Sequence, residues 1–205
     1  MTILDQLTSL MLEKVEVTPV PKQELDDFLS QNNIDICDEH YQFLLNYGNS
    51  EFLNQHYAYL VFDSFKWYYT TDDFLDDMVL PKFCEYLGTD FMSEAICLDY
   101  IDKKIYSFDY GEKYEKPYYG GLKELLFFYL FKLIIEKKYF DKIEENIKID
   151  DVEKFKSDYL NYEIKDIYLY NRYFFKDNKL IICDDKFHYY SIYYGGILDK
   201  IIDDR

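Results

Sequence analysis

The stretch "LKELLFFYLFKLII", Leu122 to Ile135, constrains this chain more than any other. At helical spacing, Leu122, Leu125, Leu126, Tyr129 and Leu133 make one apolar stripe, and Phe127, Phe131 and Ile134 make a second. A helix that is apolar on more than one side must be buried on more than one side. It therefore predicts structure on both sides of it, drawn from the chain before and the chain after. A membrane span needs roughly 20 apolar residues, and the run "LLFFYLF" inside this helix falls far short of that.

Upstream, Pro19 and Pro21 separate an opening helix from a second, "KQELDDFLSQN". A third follows in "IDICDEHYQFLLNYGN", with Asp35 or Asp38 able to cap its start and Gly48 supplying a left-handed end. The aromatic and β-branched content of "YAYLVFDSFKWYY", Tyr57 to Tyr69, predicts one or two strands. Thr71 is then an N-cap for a short acidic helix, "DDFLDDM". The stretch "EAICLDYIDKKIYSFDYG" reads as a hairpin, with Ile96, Leu98 and Tyr100 on one face and Cys97, Asp99 and Ile101 on the other. Its aspartates suggest a sheet whose second face is partly wet.

Downstream, Asp150 with Glu153 resembles a capping box for a helix striped by Val152, Phe155, Tyr159 and Tyr162. "IYLYNRYFF", "KLIIC" and "FHYYSIYY" then read as three strands joined by the turns "KDN" and "DDK". "YYGGLKELL" after the first hairpin is echoed by "YYGGILDKII" near the end.

Charge bounds the partners. The 205 residues carry 23 basic and 40 acidic side chains, a formal net charge of −17. Such a field repels nucleic-acid backbones and anionic membrane surfaces and attracts cationic partners. The acid is scattered in doublets, such as Asp26-Asp27, Asp72-Asp73, Asp76-Asp77, Asp150-Asp151 and Asp184-Asp185, which suit solvated turns and helix starts. With 24 Tyr and 17 Phe, the aromatic residues cannot all be fully buried. Many tyrosines must sit ring-in and hydroxyl-out, as they do at interfaces.

Chemistry is harder to find. Cys37, Cys84, Cys97 and Cys183 form no C-x-x-C pair and read as small core residues in a reducing cytoplasm. The start "MTILDQLTSLMLEK" has no basic segment and no cleavage site, so it is not expected to act as a signal peptide. His40, His56 and His188 lack metal-ligand spacing, and no phosphate-binding, nucleophile-elbow or dinucleotide motif is present. No cofactor, metal or catalytic residue is expected. Asp99 and Asp109 could serve as an acid–base pair, but among 40 acidic residues their proximity says little.

Two stretches together resemble the SUKH superfamily. In "IDICDEHYQFLLNYGN" the resemblance is carried by Asp38, Tyr41, Phe43, Leu44, Asn46 and Gly48. In "LGTDFMSEAICLDYIDKKIYSFDYG" it is carried by Gly88, Asp90, Leu98, Asp99, Ile105, Tyr106 and Asp109. "GGLKELLFFYL" falls where that family places its closing helix. The turn after Gly88 lacks further glycines, the lead-in has no proline, and residues beyond about 140 lie outside the family core.

The resemblance implies an α+β fold: a mixed, mostly antiparallel sheet flanked by helices, here with a C-terminal helix-plus-strands extension. Residues 1–138 would form the SUKH-like domain and 139–205 the extension packing on the same core. Bacterial members are mostly cytoplasmic immunity proteins that neutralise a cognate toxin, often a nuclease, so the resemblance implies a non-enzymatic protein binder. Its partner would be a protein toxin with a basic surface, not nucleic acid or membrane. The expected contact residues are Asp72, Asp73, Asp76 and Asp77 with Tyr68 and Tyr69, followed by Asp99 and Asp109. A regulatory scaffold related to cell-wall-synthesis regulators is the alternative, and a hydrolase using paired carboxylates the third.

Overall fold

The computed structural model describes residues 1–55, 58–71 and 78–201. The fold is α+β. Its helices are α1 (Ile3–Leu12), α2 (Lys22–Asn32), α3 (Asp38–Tyr47), α4 (Phe62–Thr70), α5 (Leu122–Glu136) and α6 (Val152–Tyr159). Its strands are β1 (Cys84–Thr89), β2 (Ala95–Asp99), β3 (Ile105–Asp109), β4 (Glu112–Lys113), β5 (Lys142–Lys148), β6 (Glu163–Tyr168), β7 (Asn171–Lys176), β8 (Lys179–Asp184) and β9 (Tyr189–Tyr194). They form two sheets, ordered β1-β2-β3-β4 and β5-β9-β8-β7-β6, with every described pair antiparallel. Two compact units result, one of Met1–Val15 with Lys123–Arg205 and one of Glu16–Leu122. These boundaries fall before α2 and at the start of α5, whereas the sequence reading divides the chain after residue 138.

In the unit of Glu16–Leu122, α2, α3 and α4 close around Val20, Leu25, Leu44, Phe62 and Phe65. The one or two strands expected from Tyr57 to Tyr69 are corrected here: Tyr57 lies outside the described residues, and residues 62–70 are helical. Phe62, Phe65 and Tyr69 recur at i, i+3 and i+7, and burying that stripe outweighs the strand preference of its aromatic residues. Gly48 is corrected as well. Its φ is −61°, so it is not left-handed. A Cβ there would lie 2.6 Å from the Leu44 carbonyl oxygen and 2.7 Å from Val20 Cγ2, so glycine serves close approach.

The capping of α3 also departs from expectation. Its N-cap is Cys37, with no side-chain cap from Asp35 or Asp38. Instead, the buried Glu85 on β1 accepts from the Cys37 amide at 2.7 Å and contacts His40 Nδ1 at 3.0 Å. This is the reach of a capping-box glutamate, supplied from a distant strand.

The sheet β1-β2-β3-β4 packs Tyr86, Cys97, Tyr106 and Phe108 together on one face. Its other face is not wet: Ile96, Leu98, Ile105 and Ser107 are buried too. Both faces of the hairpin strands therefore carry core residues, and the aspartate on β2 is buried with them.

The other unit is layered. α5 lies on one face of β5-β9-β8-β7-β6, where Phe127 and Phe131 meet Tyr173 edge-on and Phe131 meets Tyr193. On the opposite face, Phe155 of α6 packs with Phe174, Ile181, Cys183 and Phe187. Adjacent Tyr173 and Phe174 thus point to opposite layers, the period-two rule of a strand buried on both sides. Two details of the sequence reading change. "IYLYNRYFF" is not one strand but the β6–β7 hairpin, turning at Leu169 and Tyr170. α6 is capped by Asp151, which accepts from the Lys154 amide at 2.9 Å, one residue later than expected. The "KDN" turn holds Asp177 and Asn178 at φ 52° and 55°, the positive angles of a tight hairpin.

Candidate functional site

The carboxylates singled out from the sequence have different fates. Asp72, Asp73, Asp76 and Asp77 lie outside the described residues, as does the short acidic helix expected there. Asp99 is buried at the end of β2. Its Oδ1 accepts from the Ile101 amide at 2.7 Å and the Asp102 amide at 3.4 Å, and its Oδ2 is paired with Lys113. Burial pushes the Asp99 carboxyl up, but the Lys113 ammonium and the Ile101 amide together outweigh it, and the group ends below its ordinary value. An ionised carboxylate with these partners holds a turn. Asp109 sits at the far end of the same hairpin, opposite Glu112 in the short β4 ladder. The structure does not join Asp99 and Asp109 into one site.

Other buried carboxylates follow the same rule. Asp90 Oδ1 accepts from the Met92 amide at 2.8 Å and the Glu94 amide at 3.1 Å, bracing the loop between β1 and β2. Glu85 holds the start of α3, as described above. Ligand-rich clusters of three or more His, Cys, Asp or Glu are absent among the described residues. No helix among them is long and apolar enough to cross a membrane.

Tyr68 and Tyr69 are placed by the helix that replaces the expected strand. Tyr68 stacks on Tyr86 with ring centroids 4.0 Å apart, and its hydroxyl donates to the Met78 carbonyl at 3.0 Å. Burial pushes its phenol up to about 12 and raises that of Tyr69 as well. Both rings are packed against the cores of this unit and lie between its helices and its sheet. Both are half-buried.

More exposed aromatic residues lie elsewhere, among them Tyr110, Tyr114, Tyr170 and Tyr189 and the two groups that follow. On α4, Trp67 is 50 % exposed and stands opposite the buried Phe62–Phe65–Tyr69 stripe. Tyr59, just before α4, is 51 % exposed. A second group lies at the β2–β3 turn, where Phe83 and Tyr100 meet edge-on at 5.7 Å beside the exposed Ile101. The Asp99 turn fixes this display, since the residues it braces are the ones presented. Sequence reading missed Trp67 and Tyr59 because it assigned them to strands. The signal was present in the helical spacing of Phe62, Phe65 and Tyr69, which leaves residues 63, 66, 67 and 70 outward.

Trp67 and Tyr59 line a cleft of about 390 Å³ together with Asn54, Val61, Asp63, Ser64, Tyr86 and Thr89. Gly88 makes its floor possible. With φ at +142° it lets β1 bulge and brings Tyr59 into a backbone bridge with Thr89, at 2.9 Å and 3.3 Å. The Thr89 hydroxyl is buried there without a hydrogen-bond partner among the described residues. No family model, curated protein or solved structure matches the chain.

Proposed function

We propose that this protein is a non-catalytic immunity protein that docks onto a basic protein toxin, a nuclease being the favoured class, and occludes its working surface. One observation supports this above others: the buried carboxylates Glu85, Asp90 and Asp99, each engaged by backbone amides, are only three of the 40 acidic residues in a chain of formal net charge −17. Carboxylates held by amides brace loops, which leaves the remaining acid for long-range attraction. That attraction speeds encounter, toward roughly 10⁸–10⁹ per molar per second at low salt. Exposed aromatic side chains then anchor the docked state.

The resemblance to the SUKH superfamily supports the same reading, with the cytoplasm as its place of action. Co-expression in a sensitive host with candidate basic nuclease toxins tests it. Cells survive with the wild-type chain, and survival falls when Asp72, Asp73, Asp76 and Asp77 are all changed to Asn. Unprotected cells carrying the folded wild-type protein would refute the reading.

A further inference from the structure

Two of the four cysteines stand side by side. Cys84 opens β1 and Cys97 lies within β2, and the ladder sets Cys84 opposite Asp99 and Tyr86 opposite Cys97. Side chains alternate along a strand, so residues 84, 86, 97 and 99 share one face and the two cysteines are diagonal neighbours across it. Both belong to the packing around Tyr86, Tyr106 and Phe108 on that face.

The pair is asymmetric. Cys84 is half-buried and within reach of a small solute, whereas Cys97 is fully buried behind it. The neighbouring Cys97 thiol lowers that of Cys84 and outweighs burial, while Cys84 and burial together raise Cys97. Thiols that respond to oxidants have this pattern: one is accessible and more acidic, and a second lies where it can resolve the first. The other two cysteines are placed elsewhere. The Cys37 amide is held by Glu85, whose side chain leaves β1 on the face opposite to Cys84, and Cys183 belongs to the other compact unit.

We propose that Cys84 and Cys97 form an oxidation site, at which hydrogen peroxide converts the two thiols to a disulfide that added thiol reverses. The Cys84 thiolate attacks one peroxide oxygen, the O–O bond breaks, and hydroxide leaves and takes up the proton that Cys84 released. Cys84 is then a sulfenic acid. The Cys97 sulfur attacks the Cys84 sulfur, the S–O bond breaks, and the hydroxyl departs with the Cys97 proton as a second water. The two sulfurs lose two electrons and two protons, and the peroxide is reduced to two waters.

Diagonal neighbours stand roughly 7–8 Å apart at their α-carbons, a little beyond the usual disulfide span of about 4.4–6.8 Å. Closing the bond therefore draws the end of β1 inward, and a bond strained in this way is readily reduced, which suits a reversible mark better than a permanent staple. Phe83, the residue before Cys84, meets Tyr100 edge-on. The movement acts directly on the exposed aromatic group at this end of the sheet, whatever partner the protein binds.

The test is peptide mapping of the full, folded chain after exposure to hydrogen peroxide, with free thiols blocked before unfolding. A glutamate-specific protease cuts after Glu85 and Glu94, so Cys84 and Cys97 stay joined only if they are linked. The expected result is a Cys84–Cys97 link within a single chain, converted back to two thiols by dithiothreitol, while Cys183 remains a thiol. In Cys84→Ser, at a half-buried position, Cys97 should stay a free thiol under the same treatment. In Cys97→Ser, Cys84 should stop at the sulfenic acid and be trapped by dimedone. If serine at the buried position 97 unfolds the chain, the wild-type map and Cys84→Ser decide the matter by themselves. Cys84 driven to the sulfinic acid beside a free Cys97 thiol would overturn the proposal, as would a Cys84 link between two chains. Oxidation of Cys37 or Cys183 ahead of Cys84 would overturn it as well, and so would a Cys84 thiol that peroxide leaves unchanged.

Discussion

The α-carbon of Gly88 faces the carbonyl oxygen of Tyr59 so closely that a Cβ at Gly88 would lie 2.0 Å from it. Two demands meet at this residue, a φ of +142° and an absent side chain. Gly88→Ala is therefore expected to cost about 3 kcal/mol or more and to lower Tm in a thermal melt. Because Tyr59 would be pushed from β1, the same variant should also move the Trp67 emission maximum. An alanine tolerated without loss of stability would show that the bulge is not needed.

Glu85 and His40 make the second prediction. Glu85→Ala leaves the Cys37 amide and the His40 ring without their buried partner, and should cost about 3 kcal/mol in denaturant unfolding. Glu85→Gln keeps one oxygen able to accept from Cys37 and should lose clearly less. Equal losses would mean that the carboxylate's hydrogen bonds are not what its burial serves.

The Asp99–Lys113 pair sets a pH window. The Asp99 carboxyl is lowered below its ordinary 3.8, and the Lys113 ammonium is raised above its ordinary 10.5 by its hydrogen bond to Asp99. A lowered carboxyl stabilises the fold above its unfolded value and loses that contribution as pH falls through the folded value. A raised ammonium stabilises below its unfolded value and loses that contribution as pH rises through the folded one. The stability gap between wild type and Asp99→Asn should hold between 3.8 and 10.5 and shrink outside those limits. Urea unfolding across pH, with both proteins side by side, measures it.

How much of this was legible in the sequence depends on where each determinant lies. α5, α6, the β2–β3 hairpin and the β7–β8 turn follow from local spacing and turn residues, so they could be read directly. α4 could not be read by residue type, because its helix is chosen by what Phe62, Phe65 and Tyr69 bury. β5, with the sequence KIEENIK, is largely polar and lies at a sheet edge, where pairing with β9 makes the strand without an apolar alternation. The cap of α3 comes from Glu85, 48 residues from Cys37, which no local pattern can show. The candidate site was legible as charge and tyrosine content. Which aromatic residues face outward was not, since that turned on the helix at 62–70.

Thiol chemistry gives a check on the inner packing of the β1–β2 ladder. The neighbouring Cys97 thiol lowers that of the half-buried Cys84, while Cys84 and burial together raise the buried Cys97. Burial pushes Cys183 up to about 12 and also raises Cys37. Iodoacetamide at mildly alkaline pH should label Cys84 first and leave Cys97 and Cys183 unmodified in the folded protein, as read by peptide mass spectrometry. Early labelling of Cys183 would contradict the packing around Phe155.

The central claim is that negative surface charge brings a basic polypeptide to this protein. Its most direct test is the affinity for a basic toxin that the protein neutralises in cells, measured by calorimetry from about 50 to about 500 mM salt, where screening shortens from beyond ~10 Å to a few ångströms. A one-to-one complex whose affinity falls steeply over that range is the predicted result. A complex indifferent to salt, or none at all with the toxin folded and active, would contradict the account.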